Sequence, residues 1–124
     1  MSSSASSNNV EAIFQRLMKL PGIIGAILVD SNGNPVKTSL DASVSMLYAG
    51  RMGQLIHMAR SMVRDIDSGN DLGYIRLRTQ KHEILVAQEG NYMVIVVQCS
   101  EVLDEARRSI TSRAVAANVS PARH

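Results

Sequence analysis

Ala59–Thr79 reads ARSMVRDIDSGNDLGYIRLRT, and its reading decides the fold. The stretch finishes a long helix, turns, and begins a strand. Asp65, Asp67, Ser68, Gly69, Asn70 and Asp71 make the turn, because these residue types stop helices and close tight loops. The strand expected at Leu72–Thr79 alternates. Gly73, Ile75 and Leu77 take one face; Tyr74, Arg76 and Arg78 take the other. One apolar face and one charged, aromatic face describe an edge strand with a surface to present.

On its N-terminal side lies a helix expected over about Ala42–Ile66, with Asp41 as its cap. Tyr48, Met52, Leu55, Ala59, Met62 and Ile66 form its core stripe. Val44, Leu47, Ile56, Met58 and Val63 widen the apolar arc to about 200°, roughly twice what packing on one sheet needs. Either the helix is deeply buried or the spare arc meets a partner. Gly50 and Gly53 each cost about 1 kcal/mol of helix propensity against Ala, a cost that close approach of another backbone would explain. Further upstream, Ile23–Asp30 is apolar on both faces and reads as a central strand. Asn32-Gly33 predicts a type I′ hairpin turn. Pro35–Leu40 follows as a short second strand, and Pro35 places it at an edge or at the strand's first position. A first helix is expected over about Asn9–Leu20, with Asn8 and Glu11 as a capping box and Pro21-Gly22 as its stop. Residues 1–8 are Ser-rich and expected to be a disordered tail.

Downstream, His82–Gln88 is a strand and Tyr92–Cys99 a second strand apolar on both faces. Three consecutive strands joined by tight turns are antiparallel. A last helix is expected at Glu101–Ser112, then a loose tail over residues 113–124. The whole is α+β: a five-stranded antiparallel sheet sandwiched between helices, with an extra C-terminal helix. The domain proper spans residues 9–99, and residues 100–124 form a helix and tail.

Composition narrows the function. At 124 residues the chain is one domain, with 45% apolar residues for its core. A net charge of +2 and 3% aromatic residues give neither the basic surface nor the stacking rings of a nucleic-acid binder. Seven methionines offer adaptable apolar surface. A single cysteine, Cys99, excludes an intrachain disulfide and fits a reducing compartment. The N-terminus lacks a signal-peptide pattern and no apolar run reaches the ~20 residues of a membrane span, so neither secretion nor membrane insertion is expected.

Chemistry is scarce. His57 lies beside Arg60 and Arg64 with no nucleophile at a catalytic spacing. His82 and Glu83 are adjacent on a strand and point to opposite faces, so they cannot share a metal. Asp65, Asp67 and Asp71 lack the calcium-loop pattern, and Asn32-Gly33-Asn34 lacks the Lys-Ser/Thr of a phosphate loop. No catalytic residue, cofactor or metal is expected.

Arg60, Val63-Arg64-Asp65, Asp67, Asn70-Asp71-Leu72, Arg76, Arg78, Lys81, Glu83-Ile84, Val86-Ala87, Tyr92 and Gln98 together resemble the roadblock-type dynein light chains. The likeness covers about Val10–Gln98, and the Arg60–Leu72 run is similar to the dynein branch in particular. The resemblance implies a roadblock/longin-like fold and a homodimer whose third strands pair edge to edge while the long helices lie side by side. Leu72, Tyr74, Ile75, Arg76, Leu77 and Arg78 would then form the dimer interface. It implies a non-catalytic light chain that binds the dynein intermediate chain, in the cytoplasm on microtubules or in a ciliary or flagellar axoneme. Met46 and Met58, at the margins of the core stripe, are the expected partner-binding residues. The alternative is a scaffold or regulator of a small GTPase, with Arg60, Arg64, Arg76 and Arg78 as candidate arginine fingers. Arg51, Gly53 and His57 fall on the long helix where the family implies more hydrophobic or bulkier residues, and Ser100–His124 extends beyond it.

Overall fold

The computed structural model describes the backbone of residues 2–118 and the side chains of residues 9–111. Eight elements follow in order: α1 (Ser2–Leu17), β1 (Ile23–Val29), β2 (Pro35–Thr38), α2 (Ala42–Ile66), β3 (Tyr74–Arg78), β4 (His82–Glu89), β5 (Tyr92–Cys99) and α3 (Ser100–Asn118). The strands form one antiparallel sheet in the order β2-β1-β5-β4-β3. The two strands read as apolar on both faces, β1 and β5, occupy the interior, and β3 is an edge.

Alternation along the strands divides the core into two layers. Ile27, Val29, Ile84, Val86, Met93 and Ile95 face α2 and pack on its Ala49 and Ile56. Ala26, Leu28, Val94 and Val96 face the opposite way and pack on Ile13, Phe14 and Leu17 of α1. Leu103 of α3 is buried as well. Strand β3 obeys the same rule. Arg76 pairs with Leu85 and Arg78 with Glu83, so both arginines lie on the α1 side, while Ile75 and Leu77 lie on the α2 side.

Several expectations need correction. α1 begins at Ser2, so the residues assigned to a disordered tail start the helix. A Ser-rich run without Gly or Pro lacks a strong helix breaker. Glu11 is therefore mid-helix. Its carboxylate accepts from Gln15 and Lys37 rather than closing a capping box. Asp41 caps α2 without a side-chain hydrogen bond; its carbonyl accepts from the Ser45 amide. The β1–β2 turn is not type I′, since only Gly33 in it has positive φ, at 85°. Asp30 organises it instead, accepting from the amides of Asn32 and Asn34. α3 reaches Asn118, beyond the expected Ser112, so 113–118 are helical rather than loose. The expected tail over 119–124 lies outside the described residues.

The largest correction concerns α2. Its sheet-facing residues are Ser45, Ala49 and Ile56, flanked by half-buried Tyr48, Met52 and Leu55. Met62 and Ile66, expected in the core stripe, are 61% and 85% exposed. Two small residues at the start of the helix let it approach the sheet closely there. The Ser45 hydroxyl shares a hydrogen bond with Thr38 Oγ1 at 2.7 Å, which satisfies a buried polar group.

Candidate functional site: an open sheet edge beside a bare helix face

The turn after α2 is held by its own acids. The Asp67 carboxylate accepts from the Gly69 amide, and the Asp71 carboxylate accepts from the Leu72 amide. Arg64 donates to Asp71 at 3.1 Å. Arg60 Nε lies 3.4 Å from the same carboxylate, near enough for attraction but not aligned as a hydrogen bond. The Leu72 amide and the Arg64 guanidinium hold the Asp71 pKa below the usual carboxylate range. The motif that most resembles the dynein branch thus ties the end of α2 to the entry of β3, with Leu72 packed on the α2-side core.

Beyond it, β3 has one ladder partner and one free side. The Thr79 amide donates to the His82 carbonyl at 2.8 Å. Antiparallel strands alternate hydrogen-bonded and non-hydrogen-bonded pairs, so the amides of Leu77 and Ile75 also point to β4. Those of Tyr74, Arg76 and Arg78 point away, along the open edge. Tyr74 is exposed, and the Arg76 guanidinium lies 5.8 Å from its ring centroid.

On the α1 side of this edge, the arginines converge with α3 on a buried carboxylate. Only 5% of the Glu83 side chain is exposed. Arg107 donates to both its oxygens, at 2.8 and 3.1 Å, and Arg76 donates to Oε1 at 3.2 Å. Arg78 makes a two-pronged pair with Asp104 at 2.7 and 2.9 Å. Hydrogen bonding from Arg107, helped by Arg76, lowers the Glu83 pKa against the opposing effect of burial. This cluster was missed in the sequence. Its signal was present as a carboxylate near the start of an inner strand, between His82 and Ile84, but α3 supplies Asp104 and Arg107 from more than twenty positions away.

The α2 side carries exposed apolar surface. Leu77 is partly exposed, and Val44, Leu47, Met58, Met62 and Ile66 emerge from α2. A shallow groove of about 260 Å³ runs among Leu47, Tyr48, Arg51 and Met52. That is below the usual ~300–1,000 Å³ of small-molecule sites, so it suits a side chain rather than a metabolite. Of the sequence-predicted partner residues, Met46 and Met58 are both exposed. At about 100° per residue they stand roughly 120° apart around the helix, so they do not share one face. Of the expected interface residues, Leu72 and Ile75 turn their side chains into the protein's own core, and Arg76 and Arg78 turn theirs to Glu83 and Asp104. Among the described residues, no three His, Cys, Asp or Glu side chains group as metal ligands. No described helix is long and apolar enough to cross a membrane.

These features define a class: a small helix–sheet–helix domain with an open sheet edge at β3 and an exposed apolar face on α2 among the described residues. A family model described as the Roadblock/LC7 domain matches residues 9–99, and the chain belongs to that family. The match ends where α3 begins. Among solved structures, a Roadblock/LC7 domain from Streptomyces avermitilis is similar at 14% identity and TM-score 0.61, over 77% of this chain and 91% of that one. MglB from Myxococcus xanthus is similar at 20% identity and TM-score 0.56, over 84% and 87% respectively. At these identities the likeness is one of fold.

Proposed function

We propose that the protein is a homodimeric, non-catalytic light chain of dynein that binds the motor's intermediate chain and serves microtubule-based transport in the cytoplasm or axoneme. Two unsatisfied surfaces carry the dimer: the outward amides of the edge strand β3 and the apolar side chains of α2 that the chain itself leaves bare. Pairing β3 with a second copy satisfies the edge, and apposing the two α2 helices covers Met58, Met62 and Ile66. The dynein assignment is supported by the Arg60–Leu72 run. In it, Arg60, Arg64 and Asp71 form the lock between α2 and β3, as parts of one structural device. The candidate fingers of the small-GTPase alternative, Arg60, Arg64, Arg76 and Arg78, all stand in intrachain ion pairs.

The intermediate chain would dock as an amphipathic segment along the flank of the paired helices, where Met46 borders Gly50. Met58 belongs to the seam between copies rather than to this flank. The test is Met46→Asp. By light scattering it remains a dimer, and by calorimetry it loses at least about tenfold in affinity for an intermediate-chain peptide, since charge replaces an apolar anchor. Undiminished affinity in the folded variant removes Met46 from the site. Capture of a small GTPase by the wild type, with no affinity for the intermediate chain, selects the alternative.

A further inference from the structure

We propose that the two copies of α2 pair antiparallel in a single register centred on Met58, set by two reciprocal ion pairs, each between Arg51 and the partner subunit's Asp65. This rests on the homodimer reading and specifies how its helix seam is aligned.

The full charges on α2 are Arg51, Arg60, Arg64 and Asp65. Arg60 and Arg64 are held by Asp71. Arg51 and Asp65 are exposed, and neither makes an ion pair among the described residues. Both lie within the bare apolar arc. At about 100° per residue, Leu47, Arg51, Met58, Met62 and Asp65 fall within about 60° of one another, on the side opposite Ser45, Ala49 and Ile56. A charge in an apolar contact surface is costly unless an opposite charge meets it.

Arg51 and Asp65 are placed to meet each other in a second copy. Each stands seven residues from Met58, one before it and one after, which is about two helical turns or roughly 10 Å. In a two-fold interface, if residue i faces residue j of the mate, then j faces i. Rotation about an axis through Met58 therefore brings Arg51 opposite the partner subunit's Asp65, and Asp65 opposite the partner subunit's Arg51. Gln54 then faces the partner subunit's Met62. Sliding either helix by one turn separates both ion pairs together, and centring the axis on Arg51 opposes two like charges. Within one chain the two residues are too far apart along the helix to touch, so the complementarity is realised only between copies. Arg51 stands where the resemblance implies a more hydrophobic residue, and here it supplies alignment in place of packing.

The experiment is a charge reversal in the full chain, read as the dimer dissociation constant by sedimentation at low and high salt. Arg51→Glu and Asp65→Arg each place like charges at both symmetric contacts, and each weakens the dimer by about tenfold or more at low salt. The double variant R51E/D65R restores opposite charges and returns to within about threefold of the wild type. Circular dichroism reports an unchanged fold in all three, since both positions are exposed. Single reversals that leave the dimer constant unchanged overturn the register while leaving the homodimer intact. Single reversals that weaken the dimer without rescue in the double variant overturn it equally. A monomeric wild type overturns the register and the homodimer reading together.

Discussion

Glu83 is the residue on which the C-terminal addition depends. Its side chain is almost fully enclosed, yet it is kept ionised by Arg107 and Arg76, whose side chains remain about half exposed. Its folded-state pKa lies below the unfolded one. The stabilisation is therefore present above the unfolded value, near ~4.3. It is lost as pH falls through the folded value. Glu83→Gln keeps the shape and removes the charge. The expected cost is about 2 kcal/mol near neutral pH, within the range of hydrogen bonds to charged groups. For a domain of this size that lowers Tm by roughly 10 °C. Thermal melts from pH 7 down to pH 3 test the linkage: the gap between variant and wild type narrows in acid. A gap that stays constant with pH excludes ionisation of Glu83 as its source.

At the scale of the element, β3 has two kinds of position. Tyr74 and Arg76 direct their amides to the open edge, whereas Ile75 and Leu77 direct theirs to β4. Proline removes a donor wherever it is placed. Tyr74→Pro is expected to dissociate the dimer while the far-ultraviolet spectrum and most of the thermal stability remain. Leu77→Pro breaks the β3–β4 ladder and strips Leu77 from the α2 side, so it lowers monomer stability itself. Sedimentation and melting on the two variants separate these outcomes. A dimeric Tyr74→Pro variant places the interface away from the edge. α2 shows the same division of labour: Ser45, Ala49 and Ile56 serve the protein's own core, and the opposite arc is exposed.

At the scale of the whole molecule, α3 lies beyond the family match but is part of the fold. Ser100 and Leu103 are buried, and Asp104 and Arg107 reach the β3–β4 edge. The Val102 side chain sits against Gly22, where an added Cβ would fall 2.9 Å from it. Removing residues 100–124 uncovers Glu83 and leaves Arg78 without Asp104. The truncated chain is expected to melt at least about 10 °C lower, because the buried Leu and the ion pairs are lost together. A truncation that melts like the full chain would make α3 an appendage. Dimerisation through β3 is expected to survive the truncation at low temperature, since the amides of the edge do not depend on α3.

Much of this architecture was legible in the residues. The boundaries of α2 follow from its periodicity and those of β5 from its unbroken apolar run, and the edge character of β3 from its alternation of Ile75 and Leu77 with Arg76 and Arg78. The strands covered on both faces, β1 and β5, were readable because an apolar run without alternation has no solvent side. The Arg60–Leu72 run carried the family. Tertiary structure decided which arc of α2 is core. An apolar arc of about 200° contains two candidate stripes, and only the close approach at Ser45 and Ala49 chooses between them, leaving Met62 and Ile66 outside. It also decided the partners of Glu83, because ion pairs between residues distant in sequence depend on where α3 crosses the sheet. Local periodicity reports the spacing of side chains along one element; the direction in which that element is laid on its neighbours is a property of the assembled core.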